Sequence, residues 1–145
     1  MREIKFRAWE PLNKEMHYLD FALYDYKDGD CRFVLPSKRQ GLRYYTIMNL
    51  EAVEVMQFTG LLDKNGKEIF EGDIIKVTGE FAIDDSGIIK WSQQEDDYTY
   101  HCGFMVDWQE EVKRRSHLSF WANHREIEII GNIYENPELL EEATV

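Results

Sequence analysis

Val53-Glu-Val-Met-Gln-Phe-Thr-Gly60, Leu61-Leu-Asp-Lys-Asn-Gly-Lys-Glu-Ile-Phe70 and Glu71-Gly-Asp-Ile-Ile-Lys-Val77 follow one another without a break, and their reading decides the fold. Two β-branched and aromatic runs flank Asn65-Gly66, a pair suited to the left-handed φ values of a type I′ turn, whose twist matches that of antiparallel strands. The segment therefore predicts a hairpin with its tip at Asn65 and Gly66. Gly72 then permits a bend and Asp73 can bond nearby amides, so the chain enters Ile74–Val77 through a Gly-Asp corner of the kind found in small SH3-like barrels.

Working outward, Ile4, Phe6 and Ala8 alternate with Lys5, Arg7 and Trp9, as in a half-buried strand with an apolar and a mixed face. A turn at Glu10–Lys14 leads to a second strand, Met16 to Phe21, and Asp28-Gly-Asp30 marks the next turn. Cys31 to Leu35 reads as a short strand stopped by Pro36, with a loop to Gly41, and Tyr44 to Met48 as another strand. On the other side, Asp84-Asp-Ser-Gly87 is read as a turn and Ile88–Trp91 as a strand. Ser92 to Tyr100 is polar without periodicity and reads as a loop. Gly103–Trp108 and Leu118–Ala122 read as strands, with a helix between them over Asp107 to Ser116, where Glu110 and Glu111 precede Arg114 and Arg115 by four residues. Ile127 to Tyr134 is the last strand, and Asn136-Pro-Glu138 has the order of a helix start. No repeat or linker divides the chain. The expectation is one domain over residues 1–145, mainly β, a small bent sheet or SH3-like barrel with one or two short helices.

Hydrophobic residues at 43% and aromatics at 14% exceed what a disordered chain of this charge carries. The net charge of -11 disfavours attraction to nucleic acid or anionic lipid. That charge is uneven: residues 1–49 hold nine Lys/Arg against seven Asp/Glu, whereas residues 50–145 hold eight against twenty-one. Met1–Lys5 lacks the apolar run of a signal peptide, and no stretch approaches the roughly 20 apolar residues of a membrane helix, so a cytoplasmic protein that avoids membranes is expected. Cys31 and Cys102 are expected as buried free thiols.

Little chemistry is legible. His17, His101, His117 and His124 form no HxH, HxxxH or CxxC spacing, so neither a metal site nor a cofactor is read from them. There is no Gly-x-Ser-x-Gly elbow or phosphate-binding glycine loop, so no catalytic residue is assigned. The pairs Asp84-Asp85, Asp96-Asp97 and Glu110-Glu111 read as solvated loops. The best surface for single-stranded nucleic acid interleaves Lys38, Arg39 and Arg43 with Tyr44 and Tyr45, and Arg2, Lys5, Arg7 and Trp9 could extend it. The competing reading is a solvated loop with packed tyrosines.

Three blocks carry a resemblance: Arg2-Glu-Ile-Lys-Phe-Arg-Ala-Trp9, Met56-Gln-Phe-Thr-Gly-Leu61 through Asp63 to Ile75, and Glu128-Ile-Ile-Gly-Asn-Ile-Tyr-Glu-Asn-Pro-Glu-Leu-Leu140. In order and spacing they resemble the YopX family of bacteriophage and prophage proteins, with Phe58 and Phe70 at positions where members often carry Tyr. The resemblance implies a small β-rich phage or prophage product that forms homo-oligomers, and it brings no catalytic residues. The expected function is a non-enzymatic interaction or self-assembling module in a bacterial host cytoplasm, its partners a second copy or a host or phage protein. The alternatives are a single-stranded nucleic-acid accessory and an acidic mimic of DNA phosphates that occupies a host protein.

Overall fold

Residues 3–18, 22–25, 31–39, 42–49, 53–79, 83–95, 100–108, 117–124 and 126–141 are described by the computed structural model. In chain order the strands are β1 (Phe6–Glu10), β2 (Glu15–Tyr18), β3 (Ala22–Asp25), β4 (Cys31–Arg39), β5 (Leu42–Asn49), β6 (Glu54–Leu62), β7 (Glu68–Phe70), β8 (Asp73–Thr78), β9 (Ile83–Glu95), β10 (Tyr100–Asp107) and β11 (Glu126–Asn132). The helices are short: α1 (Leu118–His124) precedes β11, and α2 (Glu138–Glu141) follows it. The chain is thus mainly β, as its sequence implies, with one sheet curled like half a barrel. It divides into two compact units, Lys5–Gln57 and Phe58–Val145 with Met1–Ile4.

In the Lys5–Gln57 unit, β1 pairs antiparallel with β2 on one side and with Glu54–Gln57 of β6 on the other. Arg7, Ala8, Trp9 and Glu10 are all buried, so both faces of β1 are covered. The apolar face expected from alternation is therefore displaced, because Ile4 and Phe6 are exposed while Arg7 lies inside with its Nε donating to Met56 Sδ at 3.4 Å. A second sheet runs β3-β4-β5. Here β4 continues through Pro36, which stands opposite Tyr45, where a stop and a loop are read from the sequence.

The other unit is built on the order β10-β9-β8-β11. Ile69, Ile75, Val77, Ile89, Val106, Trp108, Leu118, Trp121 and Ile127 form its buried core, with the Trp108 and Trp121 rings edge to face at 5.2 Å. Three expectations fail in this unit. Asp84–Gly87 lies within β9 and is no turn, because a bare Gly87 lets Val106 and Trp108 pack directly on the strand, where a Cβ would stand 2.3 Å from Val106 Cγ1. Ser92–Glu95 extends β9 and pairs with Tyr100–Gly103, although its composition reads as a loop. Leu118–Ala122 is helical, since Leu118, Trp121 and Ala122 turn inward at helical spacing while Ser119 and Asn123 face solvent. The helix expected over Asp107–Ser116 falls mainly outside the described residues, with Asp107 itself closing β10. At the end of the chain the expected helix start holds: Leu139 N donates to the Asn136 carbonyl, and Asn136 Oδ1 accepts from Asn132 N.

Candidate functional site

The hairpin and corner residues come together around one carboxylate and one glycine. Asp63, 7% exposed, directly follows β6; its N–H donates to the Lys67 carbonyl and its own carbonyl accepts from Gly66 N. Gly66 has φ 80°, whereas Asn65 is not in the left-handed region, so the tip is a turn followed by a glycine bulge and not the expected type I′ pair. The reason is Asp63, whose Oδ1 accepts from both Asn65 N (2.8 Å) and Lys67 N (2.9 Å) and so winds the tip around its side chain. Its Oδ2 accepts from Ile129 N in β11 at 3.2 Å. Burial pushes the Asp63 carboxyl up, but donation from Lys67, Ile129 and Asn65 outweighs it and holds the group below the ordinary carboxylate value. Beside it, the hydrogen bond to Glu128 raises Lys64 above the usual lysine range, across a 2.7 Å ion pair.

At the corner, Gly72 adopts φ 79° and its peptide joins two neighbours: its N–H donates to Ile89 O and its carbonyl accepts from Ile133 N. Asp73, 1% exposed, accepts from Phe70 N at 2.7 Å and stands opposite Asn132. Phe58 and Phe70 face each other with centroids 5.5 Å apart, and both are buried. Asn65, Gly66, Gly72 and Asp73 thus hold β6, β7, β8, β9 and β11 in register, which is structural work.

The cationic and aromatic candidates lie on the β4–β5 hairpin. Lys38 stands opposite Arg43, Ser37 opposite Tyr44 and Pro36 opposite Tyr45. Strand positions alternate, so Lys38, Arg43 and Tyr45 take one phase of the ladder and Arg39 and Tyr44 the other. The extension through Arg7 and Trp9 is not available, because both are buried.

Two features carry no signal in the sequence reading above. The first is polar and belongs to the β1–β2 hairpin, where the ligand atoms of Glu10, Glu15 and His17 all lie within 4.8 Å of one another. Glu10 Oε2 is 3.2 Å from His17 Nε2, and Glu10 Oε1 accepts from Asn13 Nδ2 at 2.6 Å. A search by His and Cys spacing overlooks it; Glu15-x-His17 on one strand face, returned opposite Glu10 by a short turn, is the pattern that finds it. The second is apolar. On β9 and β10 the core-facing stripe Ile89 and Val106 continues to Trp91 and Phe104, paired edge to face at 5.0 Å, and then to exposed Gln93 and Cys102. Trp91 is 47% exposed, and Cys102 is an exposed free thiol, contrary to the buried one expected.

Comparison with known proteins agrees with this architecture. No curated protein matches the chain. A solved structure, protein EF1440 from Enterococcus faecalis, is 26% identical, with 97% of this chain and 99% of that one covered and a TM-score of 0.59. Protein YopX from Bacillus subtilis is 22% identical over 96% and 98% of the two chains, with a TM-score of 0.60, a likeness of fold. The family described as YopX protein matches residues 5–141, nearly the whole length, and the chain belongs to that family.

Proposed function

We propose that this is a non-enzymatic phage or prophage protein of the bacterial cytoplasm that works by protein contact, with a second copy of itself as the first partner. The observation that carries this reading is the exposed end of the β9–β10 ribbon. A core stripe normally stops where the core stops; here it runs on to Trp91, a residue type that concentrates binding energy when it is covered. β10 is the terminal strand in the order β10-β9-β8-β11, touched on its outer side by a bridge from Met105 to His117. Terminal strands template pairing with another chain, and an aromatic pair beside one supplies apolar area to such a contact. No helix among the described residues is long and apolar enough to cross a membrane.

Sedimentation velocity on the full chain over a range of micromolar concentrations tests the reading. It expects a reversible shift to a larger species, weakened in Trp91→Ser. A monomer at every concentration, or an oligomer indifferent to Trp91→Ser, refutes self-association through this ribbon.

A second reading, a single-stranded nucleic-acid accessory, keeps one observation in its favour. Lys38 and Arg43 are register partners in the β4–β5 ladder, which puts two cationic residue types at one rung of the hairpin that also carries Tyr44 and Tyr45.

A further inference from the structure

The β1–β2 hairpin carries both of its carboxylates at one rung of the ladder. Glu10 and Glu15 are register partners, so two carboxylates stand directly opposite one another on one face of an antiparallel pair, which is destabilising unless a positive charge lies between them. The Glu10 side chain is only 6% exposed, so water does little to screen it. Among the described residues no Lys or Arg forms an ion pair with either carboxylate; the partners of Glu10 are the Asn13 amide and the His17 ring.

The same three side chains are arranged as ligands. His17 follows Glu15 by two residues, so both project from one face of β2, and the β1–β2 register sets them beside Glu10. Neighbouring ligands of a tetrahedral zinc ion, with bonds of about 2.0–2.2 Å, lie roughly 3.3–3.5 Å apart. The 3.2 Å hydrogen bond between His17 Nε2 and Glu10 Oε2 is about a tenth of an ångström short of that spacing, so a small outward shift of either side chain admits the ion. Glu15 is exposed and free to rotate the short distance that brings its oxygen inside the 4.8 Å envelope to bonding range. Asn13 holds the second oxygen of Glu10 and so fixes which one faces the His, the role that outer-shell partners play at metal sites. One imidazole nitrogen with two carboxylate oxygens suits a late first-row divalent cation better than magnesium or calcium, which prefer all-oxygen shells.

We propose that Glu10, Glu15 and His17 bind a single late first-row divalent cation, zinc being the reference ion, which clips β1 to β2 next to their turn. Three protein ligands leave one position for water.

The test is titration of the full-length chain, stripped with a chelator and dialysed, with zinc chloride in a calorimeter. One ion per chain is expected. Glu15→Gln changes an exposed side chain and leaves the fold intact; it and His17→Gln should each weaken binding by roughly 100-fold or more, since loss of even an outer-shell partner costs 10- to 100-fold. Glu54→Gln, an exposed glutamate on β6 outside the group, should bind as the unaltered chain does. As a second readout, the His17 ring resonances should shift on addition of one equivalent of zinc, ahead of those of the other histidines. Absence of binding by the unaltered chain, or binding that survives either substitution, overturns the proposal.

Discussion

Gly87→Ala is a substitution for which the sequence and the structure make opposite forecasts. In a turn, replacing a glycine of ordinary φ by alanine stabilises by about 0.4–1 kcal/mol, because the unfolded chain loses freedom. In the structure Gly87 lies within β9, and an added Cβ meets Val106 Cγ1 at 2.3 Å and Trp108 Cε3 and Cζ3 at 2.9 and 3.1 Å. Neither neighbour can withdraw easily. Val106 is 1% exposed, and Trp108 is locked edge to face against Trp121. Overpacking a filled core by one methyl costs about 1–3 kcal/mol, and the tight 2.3 Å approach points to the upper half of that range. Subtracting the entropic gain leaves a net loss of about 2 kcal/mol, or a melting point lower by roughly 5–10 °C for a chain of this size. Urea unfolding followed by tryptophan fluorescence measures it. The double variant Gly87→Ala with Val106→Ala sharpens the test, because removing Cγ1 relieves the clash and the two effects should fall short of their sum by about 1 kcal/mol. A Gly87→Ala protein as stable as the parent, or more so, would refute the placement of this glycine under Val106 and Trp108.

Three further outcomes follow from the same contacts. Gly66→Val should cost roughly 1 kcal/mol or more, because a β-branched residue resists φ 80°, although space around it is open; Lys64→Ala at the same tip should cost clearly less, and equal unfolding midpoints would contradict the turn described. The folded Asp63 carboxyl titrates below its ordinary value of 3.8, so its contribution is present at higher pH and is lost as pH falls through the folded value; urea unfolding of Asp63→Asn should show a deficit of about 1.5–3 kcal/mol at neutral pH that shrinks below about pH 4. A deficit that stays constant down to pH 2 would show that the charge plays no part. The main reading expects no measurable binding of a labelled single-stranded oligonucleotide at physiological salt; micromolar binding that disappears when Lys38, Arg39 and Arg43 are all changed to alanine would place the nucleic-acid reading first.

What could be read in advance was local. Gly66, Gly72 and Asp73 announce themselves because a positive φ or a short acceptor at a bend depends on the residue and its immediate neighbours. Asn136-Pro137 does so for the same reason. Ser92–Glu95 could not be recognised as strand, since its extension depends on finding Tyr100–Gly103 opposite, a pairing that no property of a polar run encodes. Gly87 reads as a turn residue because a glycine made necessary by a tryptophan some twenty residues later looks the same in sequence as one needed for a turn. Arg7 reads as a surface cation because alternation alone does not say that both faces of β1 are covered. The Glu10, Glu15 and His17 group is illegible in sequence for a related reason: its members are ordinary residues there and meet only through the β1–β2 register.

In the proposed function, β10 and the adjoining Trp91–Phe104 pair are the surface through which copies of this chain meet. Amide hydrogen exchange measured at low and high protein concentration tests it residue by residue. Protection of Tyr100–Asp107 should rise with concentration while that of Ile74–Val77 in the sheet interior does not, and Trp91→Ser should remove the rise. Exchange in β10 that is the same at every concentration, or a rise confined to another strand, would contradict it.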